Sequence, residues 1–214
     1  MGPESPAVHS AELCEYVEAG LAPEDEAIAA ARAHGGQQGC PPIGPGCGAA
    51  LRFLASALRA RAVVEIGTGV GVSGLYLLAG MAPDGVLTSI DVEPEVQAVA
   101  KRTFRQAGIA PSRTRLIMGR ALDVLPRLTD GGYDLLFVDA AKHEYPAYHE
   151  QGVRLLRPGG VLAFDNVLCR ANPGQRDAET VALREVVSAV RDDERLVPLL
   201  LPLGDGLLVA AKAG

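Results

Sequence analysis

A chain of 214 residues with 48% apolar side chains is long enough for one domain with a full core. Its net charge of −6, with basic residues scattered, argues against a nucleic-acid footprint or a membrane-surface patch. The longest apolar stretches are too short, or too interrupted by charge, to cross a bilayer. The start, MGPESPAVHSAEL, has neither the basic nor the apolar region of a secretory signal. Cys14, Cys40, Cys47 and Cys169 show no C-x-x-C spacing, so reduced thiols in the cytoplasm are expected. Small-molecule partners fit this profile better than nucleic acid or membrane.

In chain order, residues 1–10 read as disordered, and helical patterns follow near 11–19 and 23–34. The stretch GGQQGCPPIGPGCG (35–48) reads as a connection in which helix is not expected. A helix near 46–60 completes an N-terminal cap over 11–60. From 61 to 214 strands and helices alternate as the core of a single domain. Strands read at 62–66, 86–91, 114–118, 133–138 and 159–164. Helices read near 71–81, 94–107, 121–128, 144–156 and 177–193. Leu135 to Val138 is apolar throughout, as suits a parallel strand buried on both faces. Alternation of this kind predicts an α/β, Rossmann-like, doubly wound sheet. The last two strands, 196–201 and 207–211, are separated only by Pro202 to Gly206, short enough for a hairpin. The expectation is seven strands, mostly parallel, with one antiparallel strand near the C-terminus.

The most telling segment is Val63 to Gly74, VVEIGTGVGVSG. An apolar strand carries Glu65 and then turns through Gly67, Thr68, Gly69 and Gly71 into a helix. Glycines permit positive φ and close approach of a ligand to the backbone, and the helix start presents free N–H groups. Gly69, Gly71 and Gly74 also satisfy G-x-G-x-x-G, so a dinucleotide is one reading. Glu65, just before the turn, would repel a pyrophosphate and suits a ligand bearing an ammonium group, such as S-adenosylmethionine. Asp91, at the end of the next strand, stands where a ribose-binding carboxylate falls and serves either cofactor.

A second constellation lies at later strand ends. Strand 133–138 leads into Asp139, and strand 159–164 into Asp165 and Asn166. Two carboxylates and an amide suit a hard cation such as Mg²⁺, Ca²⁺ or Mn²⁺ better than zinc. Lys142, three residues after Asp139, stands where a base would act on a substrate anchored there. The bland alternatives are a helix N-cap at Asp139 and an Asx turn at Asp165–Asn166.

Taken together, VVEIGTGVGVSGLYLL (63–78), LTSIDVEPE (87–95), YDLLFVDAAKHEYPAY (133–148), LLRPGGVLAFDNVL (155–168) and LPLGDGLLVAAK (201–212) resemble class I O-methyltransferases of family 3. The resemblance is to the catechol and caffeoyl-CoA type, in its bacterial branch. It implies a divalent cation on Asp139, Asp165 and Asn166 that chelates two adjacent substrate oxygens, with Lys142 as base. It implies that Glu65, Gly67, Thr68, Gly69, Ser73, Asp91, Val92 and Asp139 surround S-adenosylmethionine, with Ala121 near the adenine. It also implies a homodimer, with the N-terminal helices (11–34) and the 35–48 segment covering the active site of their own or the partner subunit. Three positions depart from the family's frequent pattern: Ala141 in place of Asp, Arg120 in place of Asp, and the Cys169 to Pro173 loop in place of a Trp-containing one. The chain has no Trp at all. Two other readings stand beside this one: a metal-independent methyltransferase acting on a secondary-metabolite hydroxyl or carboxylate, and a dinucleotide-dependent oxidoreductase. A cofactor-binding protein without catalysis is a further alternative.

Overall fold

A computed structural model describes residues 24–37, 39–168 and 176–214. The readings at 1–10 and 11–19, and the departure at 169–173, lie outside the described residues. The elements run α1 (Glu26–Gln37), α2 (Pro45–Ala57), β1 (Ala62–Ile66), α3 (Val72–Gly80), β2 (Val86–Asp91), α4 (Pro94–Gln106) and β3 (Thr114–Met118). There follow α5 (Ala121–Val124), β4 (Tyr133–Val138), α6 (Tyr145–Leu155), β5 (Leu156–Phe164), α7 (Ala178–Asp192), β6 (Leu196–Leu201) and β7 (Leu207–Lys212).

The seven strands form one sheet in the order β3-β2-β1-β4-β5-β7-β6. β7 pairs antiparallel with both β5 and β6, and the other pairings are parallel. One strand therefore runs against the rest, as the short 202–206 connection requires. Successive side chains of the central strands enter opposite layers. Val63, Leu135 and Phe137 join the apolar cluster with α1 to α4, while Val64, Leu136 and Val138 join the cluster with α5 to α7. This period of two on a strand buried on both faces explains why β1 and β4 read as continuous apolar runs. Complete burial of such a side chain stabilises the fold by about 1.5–3 kcal/mol.

Several boundaries differ from the sequence reading, each for a local reason. The helix expected near 23–34 begins at Glu26, because the Asp25 carboxylate accepts the Ile28 N–H and caps it. It then continues into the glycine-rich stretch, because Gly35 packs where any side chain would meet the Cys40 carbonyl and Val70. At the other end of that stretch α2 already begins at Pro45, in the first helical turn, where a missing N–H costs nothing. The helix expected over 121–128 stops at Val124 and tightens into a 3₁₀ turn over Leu125–Arg127, where Pro126 has no N–H to give. β5 begins at Leu156 rather than 159. The register shifts between Tyr133 and Leu135, and Gly159 adopts φ +73°, so the strand passes through a bulge.

β1 lies between β2 and β4, so the connections leaving its carboxyl end and that of β4 diverge to opposite faces. This is the switch point where open α/β sheets bind ligands. The segment 39–44 is held beside it by Arg32, which donates to the Ile43 carbonyl (2.6 Å) and pairs with Glu24 (2.5 Å). Tyr76 of α3 donates to the same Glu24 carboxylate (2.6 Å).

Candidate active site

The glycine turn after β1 adopts the conformations its sequence allows. Gly67, Gly69 and Gly71 have φ of +95°, +50° and +95°. At Gly67 the demand is double, since a Cβ there would collide with the carbonyl oxygen of Asp139. The cofactor turn and the end of β4 are therefore in backbone contact. Asp91 fixes the turn from the side: its Oδ2 accepts the N–H groups of Thr68 (2.8 Å) and Gly69 (3.0 Å), and its Oδ1 accepts Glu93 N–H (3.0 Å). Sequence reasoning assigned Asp91 to a ribose and missed this bracing role.

Glu65 lies beneath the turn rather than in the cleft, fully buried. Ser89 donates to its Oε2 (2.5 Å), and Ser89 and Thr68 hydroxyls share a hydrogen bond of 2.7 Å. Its Oε1 has no partner in good geometry among the described residues. Burial pushes its carboxyl up to about 7, opposed by the Ser73 and Ser89 hydroxyls and reinforced by Asp91 and Asp139. The carboxylate expected to face a ligand's ammonium is therefore enclosed below the turn and does not line the cleft.

At the ends of β4 and β5 the second constellation is drawn together. Lys142, in a 3₁₀ turn over Lys142–Glu144, spends its three donors on Asp139 Oδ1 (2.9 Å), Asn166 Oδ1 (2.7 Å) and the Tyr145 hydroxyl (2.7 Å). Asp139 is thus an ion-pair partner of Lys142, and the 3₁₀ turn is instead preceded by Ala141. Asn166 adopts φ +60°, a left-handed conformation that Asn tolerates, and this aims its amide oxygen at the ammonium. Tyr145 in turn donates to the Asp165 carbonyl (3.1 Å). Asp165 is 3% exposed; burial first, and then the Asp139 charge, push its carboxyl up to about 6. Cys47 of α2 points its thiol at Asp165 Oδ1 (3.6 Å), a contact with no signal in the sequence.

Three adjoining cavities join these features into one cleft. A chamber of about 240 Å³ runs over Gly67, Thr68, Gly69, Ser73 and Asp91, roofed by Pro41 and Pro42. One end opens to a chamber of about 170 Å³ between Ile90, Val92, Ala121 and Glu144. The other opens to a chamber of about 520 Å³ lined by Asp139, Lys142, Asp165, Asn166 and Cys47. Asp139 lines both the first and the last of these. Every site residue expected from the sequence, apart from Glu65, lines this cleft. The Cys40 to Ile43 roof falls within the 35–48 segment that the sequence offered as a cover for an active site. A larger cavity between α1 and α4, about 840 Å³, shares no lining residue with the cleft.

The donor set at Asp139, Asp165 and Asn166 is chemically suited to a hard divalent cation: three oxygens from adjacent strand ends, one carboxyl raised by burial and by its neighbour's charge. Among the described residues no group of three or more His, Cys, Asp and Glu side chains is arranged to hold a metal. The set instead combines two carboxylates with an amide, and the Lys142 ammonium lies between two of its members.

A switch-point cleft with a glycine turn, a strand-end aspartate and a polar far end defines a Rossmann-like cofactor-binding site. Residues 36–213 match the sequence profile of the O-methyltransferase family, and the chain belongs to that family. A protein of Mycolicibacterium vanbaalenii, provisionally named an O-methyltransferase, is 52% identical over 192 residues, covering 88% of this chain and 85% of its own. A crystal structure of a Corynebacterium glutamicum protein superposes with a TM-score of 0.88 at 34% identity, covering 95% of this chain and 97% of its own. The O-methyltransferase TomG of Streptomyces achromogenes, involved in tomaymycin synthesis and solved with S-adenosylmethionine, superposes with a TM-score of 0.85. It is 30% identical, with 95% of this chain and 96% of TomG covered. The chain is thus an O-methyltransferase, and the dinucleotide oxidoreductase reading falls. Among the described residues no helix is long and apolar enough to cross a membrane.

Proposed function

We propose that this enzyme transfers the methyl group of S-adenosylmethionine to a hydroxyl of a small catechol-like or other vicinal dihydroxy compound. A divalent cation, Mg²⁺ or alternatively Ca²⁺ or Mn²⁺, would be held by Asp139, Asp165 and Asn166. The observation that carries this reading is Asp165: a buried carboxylate, beside a second carboxylate, facing the cleft with the Asn166 N–H, the Lys142 ammonium and the Cys47 thiol as its relief.

In this reading Gly67, Thr68 and Gly69 receive the amino-acid end of the cofactor, above the unpartnered oxygen of Glu65 and beside Ser73. Asp91 has lone pairs left for ribose hydroxyls after taking three N–H groups. Val92 and Ala121 flank the base. Bound S-adenosylmethionine supplies an electrophilic methyl group, which leaves sulfur as its bond to the substrate oxygen forms. The cation, when bound, supplies positive charge that favours the ionised hydroxyl and fixes its orientation. Lys142 accepts the hydroxyl proton; to do so it must first lose its own proton and its hold on Asp139 and Asn166. Asp139, shared by the two chambers, aligns the attacking oxygen with the methyl carbon, and alignment supplies much of the rate. A single domain, a cytoplasmic location and a homodimer complete the proposal, the last checked by light scattering.

A second reading has its own observation. Lys142 already bridges Asp139 and Asn166, so an ammonium could serve permanently where a metal otherwise would. The enzyme would then be metal-independent, with a secondary-metabolite hydroxyl or carboxylate as acceptor. One experiment separates the two. Purified protein is incubated with S-adenosylmethionine and a panel of catechols, with Mg²⁺ or EDTA, and methylated product is read by mass spectrometry. Product that vanishes with EDTA supports the cation. Product that persists favours the second reading, and no product on any catechol overturns the proposed acceptor class.

A further inference from the structure

Glu144 follows Asp139 by five residues, yet its side chain belongs to the opposite end of the cleft. It lines the small chamber with Gly67, Asp91, Val92, Ala121 and Tyr148. Its Oε1 accepts from Arg120 Nη2 (3.1 Å), and its Oε2 accepts from the Tyr148 hydroxyl. Arg120 precedes α5 and Tyr148 lies in α6, so the carboxylate cannot rotate without losing one of two donors from different elements. The Tyr148 hydroxyl, and then Arg120, hold its carboxyl below the usual range against burial. Each carboxylate oxygen still has an acceptor site to offer. The rest of the chamber is largely apolar or backbone: Ile66, Ile90, Val92 and Ala121. Asp91, the other carboxylate lining it, is engaged by two N–H groups of the turn and by that of Glu93.

We infer that Glu144 is the specificity-determining residue for the base of the cofactor, accepting a hydrogen bond from the exocyclic amine of adenine, with Arg120 and Tyr148 as its positioning residues. The inference rests on the S-adenosylmethionine reading and adds a recognition rule to it. A base with a carbonyl in place of that amine brings acceptor against acceptor at Glu144 and loses affinity.

The test uses the full chain and two ligands, S-adenosylhomocysteine and its deaminated analogue S-inosylhomocysteine, titrated by calorimetry. The wild type should prefer the adenosyl ligand by about 10- to 100-fold, the worth of one hydrogen bond to a charged group. Glu144→Gln, whose amide both donates and accepts, should bring the two within about threefold. Arg120→Ala and Tyr148→Phe should each narrow the preference without abolishing binding, while the thermal midpoint reports that each variant folds. Equal binding of both ligands by the wild type, or an undiminished preference in Glu144→Gln, would overturn the inference alone. A wild type that binds neither ligand would bring down the cofactor reading and this inference with it.

Discussion

The two ends of the cleft handle their carboxylates in opposite ways. At the β2 end, Asp91 is satisfied by three backbone N–H groups, and the turn it braces has its shape before any ligand arrives. At the β4–β5 end, Asp165 is buried beside the charge of Asp139, and relief comes from the Asn166 N–H, Lys142 and a thiol. The first arrangement is a finished binding surface. The second is a set of acceptors with too few donors, the pattern expected where a cation or a reacting proton must be accommodated. The contrast teaches that preorganisation and reactivity are built from the same residue type by changing only its partners.

The most severe break in this comparison is Gly67→Ala, because Gly67 touches both ends. Its positive φ and the collision with the Asp139 carbonyl predict a loss of about 3 kcal/mol or more in chemical denaturation. Binding of S-adenosylhomocysteine should be lost with it; retention of wild-type stability would show that the two ends are not rigidly joined. Asp165→Ala tests the reactive end alone. Turnover should fall about 10³-fold, the effect of several kcal/mol of charge stabilisation, while affinity for S-adenosylhomocysteine stays within a few-fold. Loss of cofactor affinity in proportion to turnover would contradict a division of labour.

The pH dependence probes Glu65, which sits under the finished end. Its folded pKa of about 7 exceeds the ordinary 4.5, so the folded protein holds that proton more tightly than the unfolded chain. The contribution is intact below about 4.5 and lost as pH rises through about 7. Glu65→Gln keeps the buried group neutral and should be more stable than wild type at pH 8, by at most on the order of 3 kcal/mol, with no gain at pH 4.5. Denaturant midpoints at the two pH values decide it. The smallest effect is expected from Asp91→Ala. The N–H groups of Thr68, Gly69 and Glu93 lose their acceptor, but they border the open cleft, where water replaces it and limits the loss to about 1 kcal/mol. Cofactor affinity should fall more than stability does, and the reverse order would make Asp91 a structural brace only.

Much of this was legible in the chain. Strands 62–66, 86–91, 114–118 and 133–138 fall where the sequence places them; the signal is most continuous at β1 and β4, which are buried on both faces, and weakest at the half-exposed edge strand β3. Gly67, Gly69 and Gly71 announced a turn with positive φ, and Asp91, Asp139, Asp165 and Asn166 each stood at or just beyond the end of a strand. Alternation then sent all of them to one edge of the sheet. Other things were decided only by tertiary packing. The extension of α1 through Gly35 depends on what lies against that glycine, and composition alone says nothing of it. The Lys142 bridge, the Cys47 contact and the Arg120–Glu144–Tyr148 wall join residues from separate elements. Local sequence reports periodicity and turn chemistry, which are short-range. It does not report which side chains meet across a cleft, and those meetings set burial, charge balance and the protonation of Glu65 and Asp165.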